Sequence, residues 1–419
     1  MSTATVTKFP EPQLQQQHRP RRARPIDQMP VIVGACRTPI GKFLGAFAEV
    51  PAPVLASHAI REALKRAGVA PEEVDQVILG NVLSAGVGQN PARQAALKAG
   101  LPSTVSCVTV NQVCASGLQS VAMACQAILA GDVEVVVAGG MENMSRAPYL
   151  LDRARTGYRL GHGQILDSMI SDGLWCAFND FHMGQTGELV SEYYGLSRQM
   201  QDEYALNSHM KAVKAQKEGH FQAEIVPVPV PGKKGEILVD KDESPREDST
   251  IESLGKLRAA FKEGGTVTAG NAPGVNDGAA AVVVMSAQKA RELGKKPLAR
   301  VNDFYTAGLD PAWVMLTPIP AVRGLLARNV GWKLDDFDLL EVNEAFSVQA
   351  LAVAKELGIQ PERLNVHGGA VALGHPIGAS GARILVSLLY GLQQHDKRKG
   401  LATLCLGGGN GLALAVERV

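Results

Sequence analysis

The sequence predicts an α/β protein of two similar halves with a segment inserted between them. Three observations lead there. Short apolar strands alternate with helices of apolar periodicity over much of the chain. Aromatic residues are only 5% while glycine numbers 44, which suits layers packed from Ala, Val and Leu and joined by tight turns. The order of the N-terminal part also returns near the C-terminus.

Residues 1–29 form a tail rich in Pro, Gln and Arg. Pro10, Pro12, Pro20, Pro25 and Pro30 break any helix, so it reads as a solvated, disordered extension. Its basic charge leaves an organellar presequence as the alternative. Next come a buried strand at 31–35, a helix at 54–67 ended by Gly68, a strand at 74–79, a helix at 91–99 and a strand at 105–110. A helix at 115–130 carries Leu118, Val121, Cys125, Ile128 and Leu129 on one face, and a strand at 133–138 follows. Such alternation predicts a parallel or mostly parallel sheet covered on both faces.

The repeat is read from two matches. Gly331-Trp-Lys-Leu-Asp-Asp-Phe-Asp-Leu-Leu parallels Gly68-Val-Ala-Pro-Glu-Glu-Val-Asp-Gln-Val, at an offset of 263. Ala379-Ser380-Gly381 repeats Ala115-Ser116-Gly117, at an offset of 264. Nearly one offset for both implies a duplicated half-domain. The expected division is 30–146 for the first half, completed by about 276–296, then 297–419 for the second. The insert, 147–275, is richer in charge and in His, Met and Tyr. Within it Ser197 caps a helix running to about Lys217, and a Pro-rich edge hairpin turns at Gly232-Lys-Lys-Gly235. An insert of this kind fits a substrate-binding lid.

Composition excludes several classes. A formal net charge of +1 gives no reason to expect nucleic acid or a membrane surface as partner. No apolar run is expected to span a bilayer. The six cysteines include no C-x-x-C pair, so neither a metal site nor a redox dithiol is indicated. Free thiols favour a reducing compartment, the cytoplasm.

Four places carry chemistry. Cys114, in Asn111-Gln-Val-Cys-Ala-Ser-Gly117, lies where a strand turns into a helix, so unpaired N–H groups and the helix dipole favour its thiolate. A small buried cysteine at a helix start is the plainer reading. His375 stands in Gly368-Gly-Ala-Val-Ala-Leu-Gly-His-Pro-Ile-Gly-Ala-Ser-Gly381, where so much glycine implies close backbone approach. Its neutral imidazole suits a thiol's proton; otherwise it is a turn histidine. Cys405 ends an apolar run and enters Gly407-Gly-Gly-Asn-Gly411, whose N–H groups suit an anion, or else is a buried strand cysteine. Asn343, in Asn343-Glu-Ala-Phe346, can hold a water, donate to an oxyanion or cap the next helix. All four fall at strand ends, where ligands gather in open α/β sheets.

Together these motifs resemble the thiolase family, in particular its acetyl-CoA acetyltransferases and the nearby 3-ketoacyl-CoA thiolases, from about residue 30 to 419. The resemblance implies a five-layered αβαβα core of two duplicated halves with an inserted loop domain. It implies Cys114 as the acyl-carrying nucleophile activated by His375, and Cys405 as the acid and base at the α-carbon. One oxyanion hole would use His375 with a water on Asn343, the other the N–H groups of Cys114 and Gly407. Coenzyme A thioesters (acetyl-CoA and acetoacetyl-CoA) would be substrates, with no cofactor and no metal, and dimers or tetramers are usual. Phe181-His-Met-Gly184 resembles the acyl-pocket segment of the short-chain members, which implies ligand contacts for His182 and Met183. Thr268-Ala-Gly-Asn-Ala-Pro-Gly resembles the pantetheine turn, implying Ala269, Gly270 and Pro273. Ala345 and Phe346 complete the expected coenzyme A contacts.

The chain departs from the family pattern at Pro273, where Ser is common, at His367, where Asn is common, at Asn410, where Met is common, and across 311–318. These departures touch coenzyme A contacts and chain length rather than chemistry. A 3-ketoacyl-CoA thiolase of broader chain length is therefore the nearest rival. A decarboxylating ketoacyl synthase would place a second His where Cys405 stands. A non-enzymatic scaffold would not need both cysteines, His375 and Asn343.

Overall fold

The computed structural model describes residues 25–232 and 235–419. Most of the basic tail, residues 1–24, and the tip of the hairpin therefore lie outside the described residues.

The main sheet is built from β1 (Pro30–Arg37), β2 (Gln76–Gly80), β3 (Ser106–Val110), β4 (Val135–Asn143), β5 (Asn276–Ser286), β6 (Ala299–Gly308), β7 (Leu339–Val342), β8 (Lys399–Leu406) and β9 (Asn410–Arg418). Their spatial order is β7-β8-β9-β6-β1-β5-β4-β2-β3. The principal helices are α1 (Ala52–Ala67), α2 (Pro91–Ala99), α3 (Ser116–Ala130), α4 (Met183–Tyr194), α5 (Arg198–Lys217), α6 (Pro318–Arg328), α7 (Ser347–Leu357) and α8 (Ile377–Gln394).

The expectation of a mostly parallel sheet is wrong. Only β2–β3, β2–β4 and β7–β8 run parallel; the other five neighbouring pairs in that order are antiparallel. The reason lies in connections that local periodicity does not report. Strand β5 enters after the long insert instead of after a crossover helix, and β8 returns directly into β9 as a hairpin. The two halves of the sheet join through two pairs alone, Val31 with Arg300 and Ile32 with Ala299. The sheet folds about that seam into two layers.

Five layers result. Helices α1 and α2 cover the outside of the first layer, packed on Val77, Val137 and Val283. Helices α3 and α8 lie between the layers, where Leu118, Val121, Ile384 and Leu388 meet Val136, Val282 and Leu414. Helices α6 and α7 cover the other side over Leu340, Leu401 and Ala413. Strands faced by protein on both sides can be apolar throughout, and β1 is buried at every residue.

The segment Val113–Ala130 is long and apolar enough to cross a bilayer, contrary to the expectation that no run would be. In the fold it is the turn and helix α3 at the molecular centre, which explains an apolar character all round.

Both repeat matches have structural counterparts. Pro71–Glu73 and Leu334–Asp336 each form a single 3-10 turn before a strand. The two Ala-Ser-Gly sequences lie where α3 crosses α8. A methyl group at Gly117 would sit 2.8 Å from the Ala382 nitrogen, and one at Gly381 2.5 Å from that of Leu118. Each glycine makes room for the backbone of the other helix. That contact brings the N-terminal ends of the two central helices side by side.

In the insert, Ser197 Oγ accepts from the Met200 N–H at α5's start, and Val228–Gly232 pairs with Gly235–Val239 as the expected hairpin. Strand β5, following the insert, pairs with β1 and β4 of the first half.

Candidate active site

Cys114 stands on a sharp turn between β3 and α3. Val113 before it has φ 48°, in the left-handed region that a β-branched residue rarely adopts. The turn is held by its own polar groups. The Val113 N–H donates to Asn111 Oδ1 at 3.0 Å. Ser116 Oγ accepts from the Gln112 N–H at 2.8 Å and donates to the Val113 carbonyl at 2.6 Å. Cys114 keeps part of its surface open to a cavity, yet the protein around the sulfur is enough for burial to push the thiol up to about 12. The N–H groups of Gly407 and of Cys114 itself oppose that rise, and Glu142 adds to it. The expected resting thiolate is therefore corrected: burial outweighs the N–H groups, and Cys114 rests as a thiol.

His375 precedes α8 and is 7% exposed. Its backbone N–H donates to Asn276 Oδ1 at 2.9 Å. Nδ1 lies 2.6 Å from Ser380 Oγ, and that hydroxyl donates to the Pro376 carbonyl at 2.8 Å. With its one proton so committed, Ser380 accepts from His375, which places the imidazole proton on Nδ1. Nε2 then carries the lone pair, and it is buried with no protein partner. Burial, and then the charge of Arg383, lower the imidazole to about 3, so it is neutral at neutral pH. It is a neutral imidazole whose unpartnered Nε2 lies beside the cavity.

Cys405 is the next-to-last residue of β8 and is 4% exposed. Burial is the first cause raising its thiol, far above the ordinary range, and Cys114 is the second. Gly407 follows in the hairpin. A methyl group there would lie 3.1 Å from Val113 Cγ1, so glycine lets this N–H reach the Cys114 turn. Asn343, at the end of β7, is fully buried, and neither atom of its amide has a protein partner. It does not cap α7, whose N-cap residue is Phe346.

Cys114, His375, Cys405 and Gly407 line one cavity of about 360 Å³. His182, Met183, Ala269, Pro273, Ala345 and Phe346 line it too. Gly270 does not, since its open side is filled by Leu257 and Leu254. Asn343, fully buried, is not in the lining either. His182 caps α4, its Nδ1 accepting from the Gly184 N–H at 3.0 Å, and its ring stacks on Phe261 with centroids 4.6 Å apart. Burial lowers its pKa, so it is a neutral wall.

Sequence reasoning missed several residues. Met144, Leu174, Phe261 and Met315 line the cavity, and nothing in their local pattern separates them from core. Glu142 is fully buried in β4. It accepts from Asn81 Nδ2 and from the N–H groups of Val82, Leu83 and Gly378, and so fixes the start of α8. Burial, partly offset by those N–H groups, pushes it up to about 7. Among the described residues no group of three or more His, Cys, Asp or Glu is arranged to hold a metal ion.

Comparison with known proteins agrees with this geometry. Residues 30–288 match the thiolase N-terminal domain and residues 295–418 the thiolase C-terminal domain. The chain is 55% identical over 389 residues to an acetyl-CoA acetyltransferase of Cupriavidus necator, covering 93% of this chain and 99% of that one. It is 55% identical over 390 residues to one from Escherichia coli, with the same coverage. The crystal structure of the Bacillus anthracis acetyl-CoA acetyltransferase superposes with a TM-score of 0.91 at 47% identity, covering 93% of this chain and 99% of that one. With both family domains matched along almost the whole described chain, this protein belongs to the thiolase family.

Proposed function

We propose that this chain is an acetyl-CoA C-acetyltransferase, interconverting two acetyl-CoA with acetoacetyl-CoA and free coenzyme A through an acyl group carried on Cys114. The observation that carries the reading is two thiols facing one apolar cavity, beside an imidazole whose Nε2 has no protein partner. The names of the relatives support the substrate class.

Proton accounting follows from the resting states. Cys114 gives its proton to His375 Nε2 as the sulfur attacks the thioester carbonyl. The N–H groups of Cys114 and Gly407 face the oxygen that becomes negative, and a well-placed donor of this kind lowers such a barrier by about 3 kcal/mol. Cys405 gives its proton to the departing coenzyme A sulfur and becomes a thiolate. A thiol raised by burial leaves a strong base, which narrows the gap to the weakly acidic α-carbon of the second acetyl-CoA. Cys405 takes that proton, while His375, now carrying Nε2–H, and a water held by Asn343 stabilise the enolate oxygen. The enolate carbon attacks the Cys114 thioester. Cys114 leaves as thiolate and recovers its proton from His375, restoring all three groups.

The test is coenzyme A-dependent cleavage of acetoacetyl-CoA beside a ten-carbon 3-ketoacyl-CoA. Fast cleavage of the short substrate alone is expected. It should vanish in Cys114→Ser, while Cys405→Ala should still form an acyl-enzyme from acetyl-CoA without condensing it. Equal or faster cleavage of the long substrate would move the assignment to a broader 3-ketoacyl-CoA thiolase. Met183 in the cavity wall favours the short-chain reading.

Self-association into dimers or tetramers is part of the proposal. It is supported by exposed Val108 on edge strand β3 and by exposed Tyr149, Leu160 and Ile165. So is a cytoplasmic location, supported by six cysteines among which no disulfide forms.

A further inference from the structure

Glu344 follows Asn343 and is 1% exposed. Four neutral donors surround its carboxylate. Oε1 accepts from Tyr204 Oη at 3.0 Å and Asn365 Nδ2 at 2.9 Å. Oε2 accepts from Ser208 Oγ at 2.8 Å and the Val371 N–H at 2.9 Å. Each oxygen thus receives one hydroxyl, which can turn to accept instead, and one N–H, which cannot. Only a carboxylate satisfies that set. A Gln amide, placed either way round, points its NH2 at an obligate N–H donor.

The donors come from three places that matter to the site. Tyr204 and Ser208 lie on α5, in the insert. Asn365 braces the end of β7, its amide bonding both the N–H and the carbonyl of Val342, the residue before Asn343. Val371 lies in the short turn Ala370–Leu373, which runs into Gly374 and His375. Ser208 Oγ also accepts from the Gly369 N–H at 3.0 Å, one residue before that turn. The Glu344 carboxyl fills the space a side chain would need at Gly369.

We infer that Glu344 is a positioning residue for the reaction. Its carboxylate hangs Asn343 and the turn leading to His375 on one buried acceptor, and ties both to helix α5 of the insert. The inference rests on the roles proposed above for Asn343 and His375, which must face one enolate oxygen together. Both lie on short connections, and Glu344 is the group common to the two. The insert then contributes more than a cavity wall: through Tyr204 and Ser208 it sets the geometry of the oxyanion site.

The experiment is steady-state cleavage of acetoacetyl-CoA by the wild type, Glu344→Gln, Tyr204→Phe and Ser208→Ala. Each rate is referred to the natively folded fraction measured by near-ultraviolet circular dichroism. Glu344→Gln is expected to lower kcat roughly tenfold or more, with KM within about twofold, because the groups it braces act on the enolate oxygen of the transition state. Tyr204→Phe and Ser208→Ala, which keep the carboxylate and three donors, should each lower kcat by roughly two- to fivefold with KM held. If Glu344→Gln does not fold, these two carry the test. Wild-type kcat in the folded variants, or a rise in KM alone, overturns the inference. A wild type inactive on acetoacetyl-CoA overturns the proposed reaction itself, and this role with it.

Discussion

At the scale of single residues, the repeated serine explains more than the repeated glycine beside it. Ser116 braces the turn that carries Cys114, and Ser380 orients the ring of His375. One position of the duplicated motif supports the nucleophile in one half and the base in the other. The hydroxyl of Ser380 fixes the proton on Nδ1 because its own proton goes to Pro376. Ser380→Ala should therefore release the tautomer without opening a large cavity, alanine being well tolerated in a helix. Losing one such hydrogen bond, at about 0.5–1.5 kcal/mol, predicts roughly a 2- to 13-fold fall in kcat with KM retained. Initial rates across pH 6–9 check this; an unchanged profile would show that packing alone holds the ring. Cys114, His375 and Cys405 were legible because glycine-rich junctions around reactive side chains are uncommon. Val113's left-handed backbone was not, since no rule selects a β-branched residue for that conformation. Nor were Glu142 and Glu344, because a lone glutamate beside a strand reads as a solvated end until its donors, distant in sequence, are seen.

At the scale of elements, strands and helices were legible to within a few residues, and their directions were not. The helix at Pro91–Ala99 and the strand at Ser106–Val110 stand where periodicity put them, to within a residue. The antiparallel course of β5 follows from a connection of more than a hundred residues, beyond the reach of local pattern. What locks the elements together is the crossing of α3 and α8. Gly381→Ala would press a methyl group against the Leu118 backbone, where no side-chain rotation relieves it. Overpacking of this kind costs about 1–3 kcal/mol. The urea midpoint should fall accordingly, and activity with it, because the same crossing sets Cys114 beside His375. Gly255→Ala serves as the control: its added methyl meets nothing within 4 Å, so its midpoint should hold or rise slightly. Equal midpoints for the two variants would mean that the helices can part without cost.

At the scale of the whole molecule, three regions meet at a histidine cluster outside the lining of the cavity. His220 follows α5 in the insert, His367 lies in the loop leading toward His375, and His395 caps the end of α8. The rings of His220 and His367 stack with centroids 4.8 Å apart, and the Nε2 atoms of His367 and His395 lie 3.2 Å apart. Burial lowers His367 to about 3, helped by His220, His395 and Lys211, so the fold holds this imidazole neutral. The stability it contributes is complete above the unfolded value, about 6.5, and is lost as pH falls from there toward 3. Within that window the unfolded chain binds one more proton than the fold, a slope of about 1.4 kcal/mol per pH unit for this one group. Buried Glu142 works in the opposite sense, its raised pKa favouring the fold as pH falls through about 7, so the wild-type curve alone cannot isolate the histidine. The difference between wild type and His367→Asn does, because the carboxylates are common to both. His367→Asn should lower stability at pH 7.5, where ring stacking is lost, yet lose less of it between pH 6.5 and 5, so the two melting curves converge as acid is added. Parallel losses over that interval would show that His367 takes up its proton in place, and that these three regions are held together by other contacts.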